Sequence, residues 1–496
     1  MNRLPLVIVT MGATLLVILD MTIVNVALTD IMAAVGATAD QVTWVITAYI
    51  VAEAATMPLA AWLAGRFGRR RVLGLSITGF ILSSALCGQA SGLSELVLFR
   101  ALQGISGAAV IPLSQSILVS TFPAEQRGRA MAMWGVGVML GPVLGPTLGG
   151  FITEYVGWRW VFYLNVPLGG LLLAMLPTAL PASRSEPLAL DWRGALMLAG
   201  GIATLQFVLD QGNARDWFHS PLIQAAALVS IVLISSYVLR ALGRSDNALN
   251  IRLLADRNLR AASLMILVFG FGVFGTIALQ PILLEQLLGY PAATAGLIMA
   301  PRGLAAAAGM LLVARWINAL DARWLVATGL LLAAASSWVL SHVSPVTDAA
   351  FFITSSMVQG LGMSFVFVPL STLAYQTLAR SASDQAAVLY NVARTVGSSL
   401  GISLASYLVS LGSRIRYETL VQHVTPYNPA WQDWAAQHGG RIDDPQILAS
   451  AAQEITRQAN LIGFVDAFHS VALSFVLLMP LLLLFGRNQA RTQSTK

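Results

Sequence analysis

The chain has 496 residues, 56% of them hydrophobic and only 10% charged, whereas ordinary soluble domains carry about 25% charged residues; that composition excludes a soluble globular domain and fits an all-α polytopic membrane protein. One cysteine, Cys87, rules out an intrachain disulfide, and Lys496 is the single lysine among 29 basic residues, which argues against a Walker A loop, a Schiff-base lysine and ATP-driven pumping. The net charge of +6 follows the membrane sides rather than one surface patch, so no nucleic-acid partner is expected.

Fourteen apolar runs of about 20 residues, the length that crosses a hydrocarbon core of about 30 Å, centre near Val17, Ala54, Phe80, Gly107, Leu140, Leu171, Ala203, Val232, Val273, Gly303, Leu331, Phe365, Gly397 and Phe475. The first is too long for a cleaved signal, holds Asp20 and lacks a small-residue cleavage site. With the amino terminus inside, Arg66, Arg69, Arg70, Arg71, Arg127, Arg129, Arg184, Arg193, Arg240, Arg244, Arg252, Arg257, Arg260, Arg315, Arg323 and Arg380 fall in inner loops. Arg3, Arg487, Arg491 and Lys496 lie in the tails, and the short outer loops hold only Arg159 and Arg215. Both termini are therefore expected in the cytoplasm.

Along the chain, the first run carries Asp20 and the second Glu53, with Pro58 just below it. A basic turn containing Arg66, Gly68, Arg69 and Arg70 follows. The fourth run holds Arg100, Gln103-Gly104 and Pro112-Leu113-Ser114. In the fifth, Gly137, Gly141, Gly145 and Gly149 recur every four residues, with Pro142 and Pro146 at the same interval. Glycines on one face let another helix approach backbone to backbone. Each proline removes a donor and bends the helix, which a bilayer tolerates where packed neighbours satisfy the freed carbonyls. A tight packing helix would show the same glycine spacing.

In the ninth run Gly270 to Gly275 matches a dinucleotide fingerprint literally, but it lies in an apolar helix with no strand before it, so these are read as packing glycines. The tenth run offers a small-residue surface, Gly303 and Ala305 to Gly309, expected to meet the glycine face of the fifth. Gln359-Gly360 and Pro369-Leu370-Ser371 in the twelfth echo the fourth. Two related six-helix bundles, 1–180 and 249–486, are implied, with 181–248 a linker plus two inserted helices and 487–496 a tail. Within the second bundle, 411–460 is expected to be an outer loop, its end from Pro445 to Ala459 an amphipathic helix lying on the membrane or against a partner.

Several of these stretches carry a resemblance. Leu19-Asp20-Met21-Thr22-Ile23-Val24-Asn25-Val26-Ala27-Leu28, Arg100-Ala101-Leu102-Gln103-Gly104, the glycine-proline pattern of the fifth run and the sequence from Trp158 to Pro167 together resemble the fourteen-spanner drug:proton antiporters, of the EmrB/QacA type, in the major facilitator superfamily. The resemblance implies a major facilitator fold, export of amphipathic small molecules driven by a proton gradient without a cofactor, and residence in the cytoplasmic membrane of a bacterium. In a double-membraned cell it also implies a periplasmic adaptor and an outer-membrane duct. Two positions depart from the pattern. Thr29 replaces a usual proline, and Gly65 stands where an aspartate is common, so a charge lock built on that aspartate does not carry over.

A secondary antiporter needs a proton site whose affinity depends on substrate, and the embedded charges Asp20, Glu53, Arg100, Arg302 and Arg394 are the candidates, each costing about 2.5–3.5 kcal/mol on insertion scales. Asp20 and Arg100 lie at comparable depth. Burial disfavours a carboxylate's charge and a nearby arginine favours it, a contest that suits a proton-coupling site at Asp20, Arg100 and Glu53; a purely structural ion pair is the other reading. Glu53, Tyr390, Asn391, Arg394 and Gln359 are the substrate-cavity candidates, with a polar helix clamp the alternative for Arg394 and a neutral structural role for Glu53. The scattered histidines give no metal-ligand spacing, so no metal is expected. Met131, Met133, Met139, Phe365 and Phe367 suit either a greasy cavity or ordinary packing.

Overall fold

The computed structural model describes residues 4–181, 191–243, 247–317, 319–438, 441 and 444–485. Residues 182–190 of the linker, Gly486 with the 487–496 tail, and Arg3, Arg184, Arg244, Arg487, Arg491 and Lys496 lie outside them. Among the described residues there are helices and no strands, as an apolar solvent requires, since a helix satisfies its own backbone. Fourteen spans correspond one to one with the fourteen apolar runs, the fifth counting as one despite a bend of 42° between its two parts.

We label them α1 (Leu4–Val35), α2 (Trp44–Phe67), α3 (Arg69–Gln89), α4 (Leu93–Thr121), α5 (Ala124–Tyr155), α6 (Arg159–Ala179), α7 (Trp192–Gln211), α8 (Pro221–Gly243), α9 (Arg257–Leu287), α10 (Ala292–Trp316), α11 (Ala322–Leu340), α12 (Ala349–Ala374), α13 (Ser383–Val421) and α14 (Pro445–Leu477). Local chemistry sets several boundaries. Asp256, Asp321, Asp348 and Asp444 accept from backbone N–H groups at the starts of α9, α11, α12 and α14. Gly68, at φ +85°, makes the tight turn between α2 and α3 that a side chain would disfavour. Pro58 falls in a short 3₁₀ turn, Met57–Leu59, that interrupts α2 just past Glu53.

Packing repeats with an offset of eight helices. In the first bundle α1 lies on α5 and α6, α2 on α4, and α3 on α4 and α6; in the second α9 lies on α13 and α14, α10 on α12, and α11 on α12 and α14. The repeat reaches individual atoms: a Cβ on Gly104 of α4 would sit 2.3 Å from the Tyr49 carbonyl oxygen of α2, and one on Gly360 of α12 would sit 2.0 Å from the Arg302 carbonyl oxygen of α10. Of the inserted pair, α8 buries a single stripe, Ile223, Ser230, Tyr237 and Ala241, while α7 packs against α8, α2 and α13 and so touches both bundles.

Most described residues of the stretch 411–460 are helical rather than loop. Helix α13 runs 39 residues to Val421 and α14 begins at Pro445. At 1.5 Å per residue α13 is about 58 Å long, nearly twice the hydrocarbon core. The expected surface helix is instead the first part of α14. The two helices cross closely where a Cβ on Gly412 would lie 3.2 Å from Gly463 Cα. Beyond the crossing, Trp431 and Ala435 of a short helix, Pro429–Gln437, close a small core with Ile447 and Ala451.

Candidate functional site

In the first bundle five helices converge on Asp20, which is 0% exposed. Arg100 Nη1 donates to its Oδ2 at 2.6 Å, while Gln103 Nε2 at 2.9 Å and Asn165 Nδ2 at 2.7 Å donate to Oδ1. Arg100 in turn donates from Nε to the Val45 carbonyl at 3.1 Å and from Nη1 to Gln103 Oε1 at 2.7 Å, and its guanidinium lies 4.3 Å from the Tyr49 ring centroid. Asn165 is fixed by Ser84 of α3, whose hydroxyl donates to the Phe162 carbonyl. The expected meeting of Asp20 and Arg100 occurs. Gln103 and Asn165 complete it; both stood in quoted stretches, but sequence gives no signal for their aim.

Glu53 lies on α2, 4% exposed, and its electrostatic partners are Arg394 of the second bundle and then Arg100. It forms no ion pair among the described residues. A narrow cavity with about 10 Å³ of free space, room for about one water, lies between the bundles. Ile18, Ile111, Met131, Val138, Met310 and Phe367 give it apolar walls, and Gln115, Trp134, Ser371, Tyr390, Asn391 and Arg394 its polar groups. Three substrate-cavity candidates, Tyr390, Asn391 and Arg394, therefore line one space. Gln359 does not; it is buried inside the second bundle with neither side-chain atom hydrogen-bonded. Of the greasy candidates, Met131 and Phe367 reach the cavity, Met139 and Phe365 are core, and Met133 faces outward.

Polar bridges join the bundles around this cavity. Asn391 Nδ2 donates to Gln115 Oε1 at 2.6 Å. Arg69 Nε reaches both oxygens of Asp384 at 3.0 Å, its Nη1 donates to Ser120 at 2.7 Å and its Nη2 to Ser383 at 3.1 Å, and Ser116 also donates to Asp384. A carboxylate from the first turn of α13 thus faces the basic turn that follows α2. Arg66 is exposed and Arg70 half-buried, and neither joins this cluster. Helix α7 adds Gln206 donating to Ser399 of α13, and Asp210 accepting from Thr47 of α2.

The glycine face of α5 departs from expectation. Helices α5 and α10 do touch, but a Cβ on Gly137, Gly141, Gly145 or Gly149 would strike Met11, Ile18, Thr22 or Ile23, all on α1 of the same bundle. The contact with α10 uses Gly128 against Ile317 and Gly135 against Met310 instead. On α10, Gly309 faces Ser364 and Leu361 of α12. Pro142 lies at the bend of α5 and faces outward; the side chain of Pro146 lies outside the described ones. The small surfaces are real, but each is spent inside its own bundle.

Two repeated bundles enclosing a central cavity, with a buried ion pair in one and polar bridges between them, define a two-bundle membrane carrier. The family model described as Major Facilitator Superfamily matches residues 10–402, and the chain belongs to that superfamily. It is 34% identical to the multidrug export protein EmrB of Haemophilus influenzae, covering 94% of this chain and 92% of that protein. It is 33% identical to the fatty acid resistance protein FarB of Neisseria gonorrhoeae, covering 95% and 93%. Among solved structures, the human organic anion transporter MFSD10 superposes with a TM-score of 0.64 at 17% identity, covering 97% of this chain and all of that one. The proton:xylose symporter XylE superposes at 0.63 and 16%, covering 96% and 94%. These likenesses fix the fold.

Proposed function

We propose that the chain is a proton-coupled antiporter that exports amphipathic small molecules across the cytoplasmic membrane of a bacterium, with both termini in the cytoplasm. The observation that carries this is the sealed Asp20 network in the first bundle, beside a separate, mostly apolar cavity between the bundles. Asp20 is the proton carrier. Protonation would remove the charge that orients Arg100, Gln103 and Asn165, releasing groups on α4 and α6 together, and so couple one proton to a change in helix packing. Breaking the Arg69–Asp384 and Gln115–Asn391 bridges would part the bundles at the basic-loop end, while α7 keeps them tethered. Glu53 is the second titratable group of the cycle, set between Asp20 and Arg394.

The substrate is moved by the proton motive force, worth about 2.3 kcal/mol per elementary charge per 100 mV. The multidrug relatives favour toxic compounds as cargo; the second reading is export of an endogenous metabolite such as a siderophore or fatty acid, and the fatty acid resistance relative favours the fatty acid. In a double-membraned cell the projecting ends of α13 and α14 would meet a periplasmic adaptor leading to an outer-membrane duct. The test is a tolerance screen in cells with and without the chain, followed by transport in vesicles with an imposed pH gradient. Uphill movement that collapses with the gradient is expected; movement that only follows the substrate's own gradient would mark an uncoupled channel.

A further inference from the structure

Arg100 has a partner that forms no hydrogen bond with it. Its guanidinium carbon lies 4.3 Å from the ring centroid of Tyr49 and 5.9 Å from that of Phe162, and its Nε donates to the carbonyl of Val45, one turn before Tyr49 on α2. A guanidinium is drawn to the electron-rich face of an aromatic ring, most strongly where water is excluded. That condition holds, with Arg100 1% exposed and Tyr49 0%. The ring is also fixed. A Cβ on Gly104 would sit 2.3 Å from the Tyr49 carbonyl oxygen and one on Gly107 would sit 3.2 Å from its hydroxyl, so bare backbone of α4 closes on both ends of the residue. The hydroxyl itself has no hydrogen-bond partner. What the position contributes is the ring face turned to Arg100.

Removing the negative charge of Asp20 sorts the surrounding contacts by helix. Those from Arg100, Gln103 and Asn165 to Asp20 are charge-assisted and weaken together. Arg100 keeps the Val45 carbonyl and the Tyr49 ring on α2, and Asn165 of α6 keeps Ser84 of α3. A buried guanidinium without a counter-ion is strongly disfavoured, so the ring that remains on it bears on how readily Asp20 takes up a proton. Two further titratable groups face the pair: Glu53 of α2 and Cys87 of α3 act on both members through space. The contacts from the other sides are neutral, with Asn165 and Phe162 from α6 and the glycines Gly141 and Gly145 of α5 against α1.

We propose that Tyr49 is a positioning residue for the proton step: its ring holds Arg100 on α2 while Asp20 is neutral, so that protonation frees α1 from an α2–α4 pair that stays together. The proposal rests on the reading of Asp20 as the proton carrier and adds the group that keeps Arg100 in place once that carrier is loaded. It also gives the release a direction. Helix α1 is packed on the glycine face of α5, so these two helices shift as a unit against α2 with α4 and α3 with α6.

Thermal unfolding of the full chain in lipid nanodiscs tests it, with Asp20→Asn standing for the protonated site. Tyr49→Leu should lower the melting temperature about twice as much in the Asp20→Asn background as in the unaltered chain, and the excess should vanish when Arg100→Gln is added. Tyr49→Phe, which keeps the ring, should restore most of the loss. Equal losses with and without the Asp20 charge, or an excess that persists without Arg100, would overturn the role. So would a loss in Tyr49→Phe as large as in Tyr49→Leu, which would assign the position to its hydroxyl. Should Tyr49→Leu fail to insert, phenylalanine analogues carrying successive ring fluorines keep the shape and weaken the ring face in steps; stability should fall with each step, more steeply in Asp20→Asn, and a flat series would overturn the role. In proteoliposomes Tyr49→Leu should need about tenfold more protons for half-maximal gradient-driven transport, and Tyr49→Phe should restore the lower requirement. The melting cycle without any gradient-driven transport by the unaltered chain would refute the antiporter reading and leave the Arg100–Tyr49 contact standing.

Discussion

The two bundles repeat one scaffold and fill it with different chemistry. Gly104 brings α4 against the Tyr49 carbonyl and Gly360 brings α12 against the Arg302 carbonyl, which sets Tyr49 opposite Arg302 and, counting back from the shared Gln-Gly, Arg100 opposite Ser356. In the first bundle the arginine comes from α4 and is answered by Asp20 of α1. In the second it comes from α10 and is answered by Gln280 of α9, itself held by Ser356 at 2.9 Å, with Arg302 Nε unpartnered. Only the first cluster contains a carboxylate. Matching scaffolds thus carry unmatched charges: an ion pair in the first bundle and an arginine on a neutral amide in the second.

The largest expected effect tests the shared scaffold. A methyl at Gly104 or Gly360 would meet backbone, which cannot swing aside as a side chain can. Gly104→Ala and Gly360→Ala should each cost about 3 kcal/mol or more and sharply lower the yield of monodisperse protein. If one is harmless, the equivalence of the two contacts fails. Next comes the contrast in charge. Arg100→Gln leaves Asp20 buried without its cation and should cost about 3–5 kcal/mol. Arg302→Gln strands no carboxylate and should cost about 1 kcal/mol. Thermal unfolding of both variants in nanodiscs checks the order; equal losses would erase the distinction.

How much of this was legible in the sequence depended on range. Spans, repeat and inserted pair follow from hydropathy and the Gln-Gly echo, because a bilayer imposes one length and one backbone solution. Asp20 and Arg100 were legible because buried charge is costly enough to demand a partner at equal depth. Orientation was not. The face of Gly137, Gly141, Gly145 and Gly149 is set by which neighbour is closest, and α1 competes with α10 for it. Asp384 was missed for a related reason: one acid in the first turn of α13 looks like an ordinary helix start, and its Arg69 partner lies 315 residues away. The helical projection of 411–460 was hidden by its prolines and polar residues, which in water do not end a helix when they fall at its first turn, as Pro429 and Pro445 do.

Smaller effects separate the packing face of α5 from its contact with the other bundle. Gly145→Leu drives a side chain into Thr22 and Ile23, and should cost about 1–3 kcal/mol, with transport lost through damage to the first bundle. Gly135→Ala meets the flexible end of Met310 and should cost under about 1 kcal/mol. Comparing melting temperatures with transport rates tests this; a normal Gly145→Leu would contradict the α1–α5 contact. The smallest change in stability is expected from Asp384→Asn, about 1 kcal/mol or less for a partly exposed pair. Its signature should be conformational: a cysteine placed at Ser120 should react faster with a membrane-impermeant thiol reagent applied from the basic-loop side. An unchanged rate would show that the bridge does not hold the bundles together.

The most direct test is proton flux through Asp20. In proteoliposomes holding a pH-sensitive dye, adding an exported compound to the unaltered chain should release protons in step with transport. Asp20→Asn should bind the compound with unchanged affinity yet move neither protons nor substrate uphill. Full proton-coupled export by Asp20→Asn would contradict the account and place the proton carrier elsewhere.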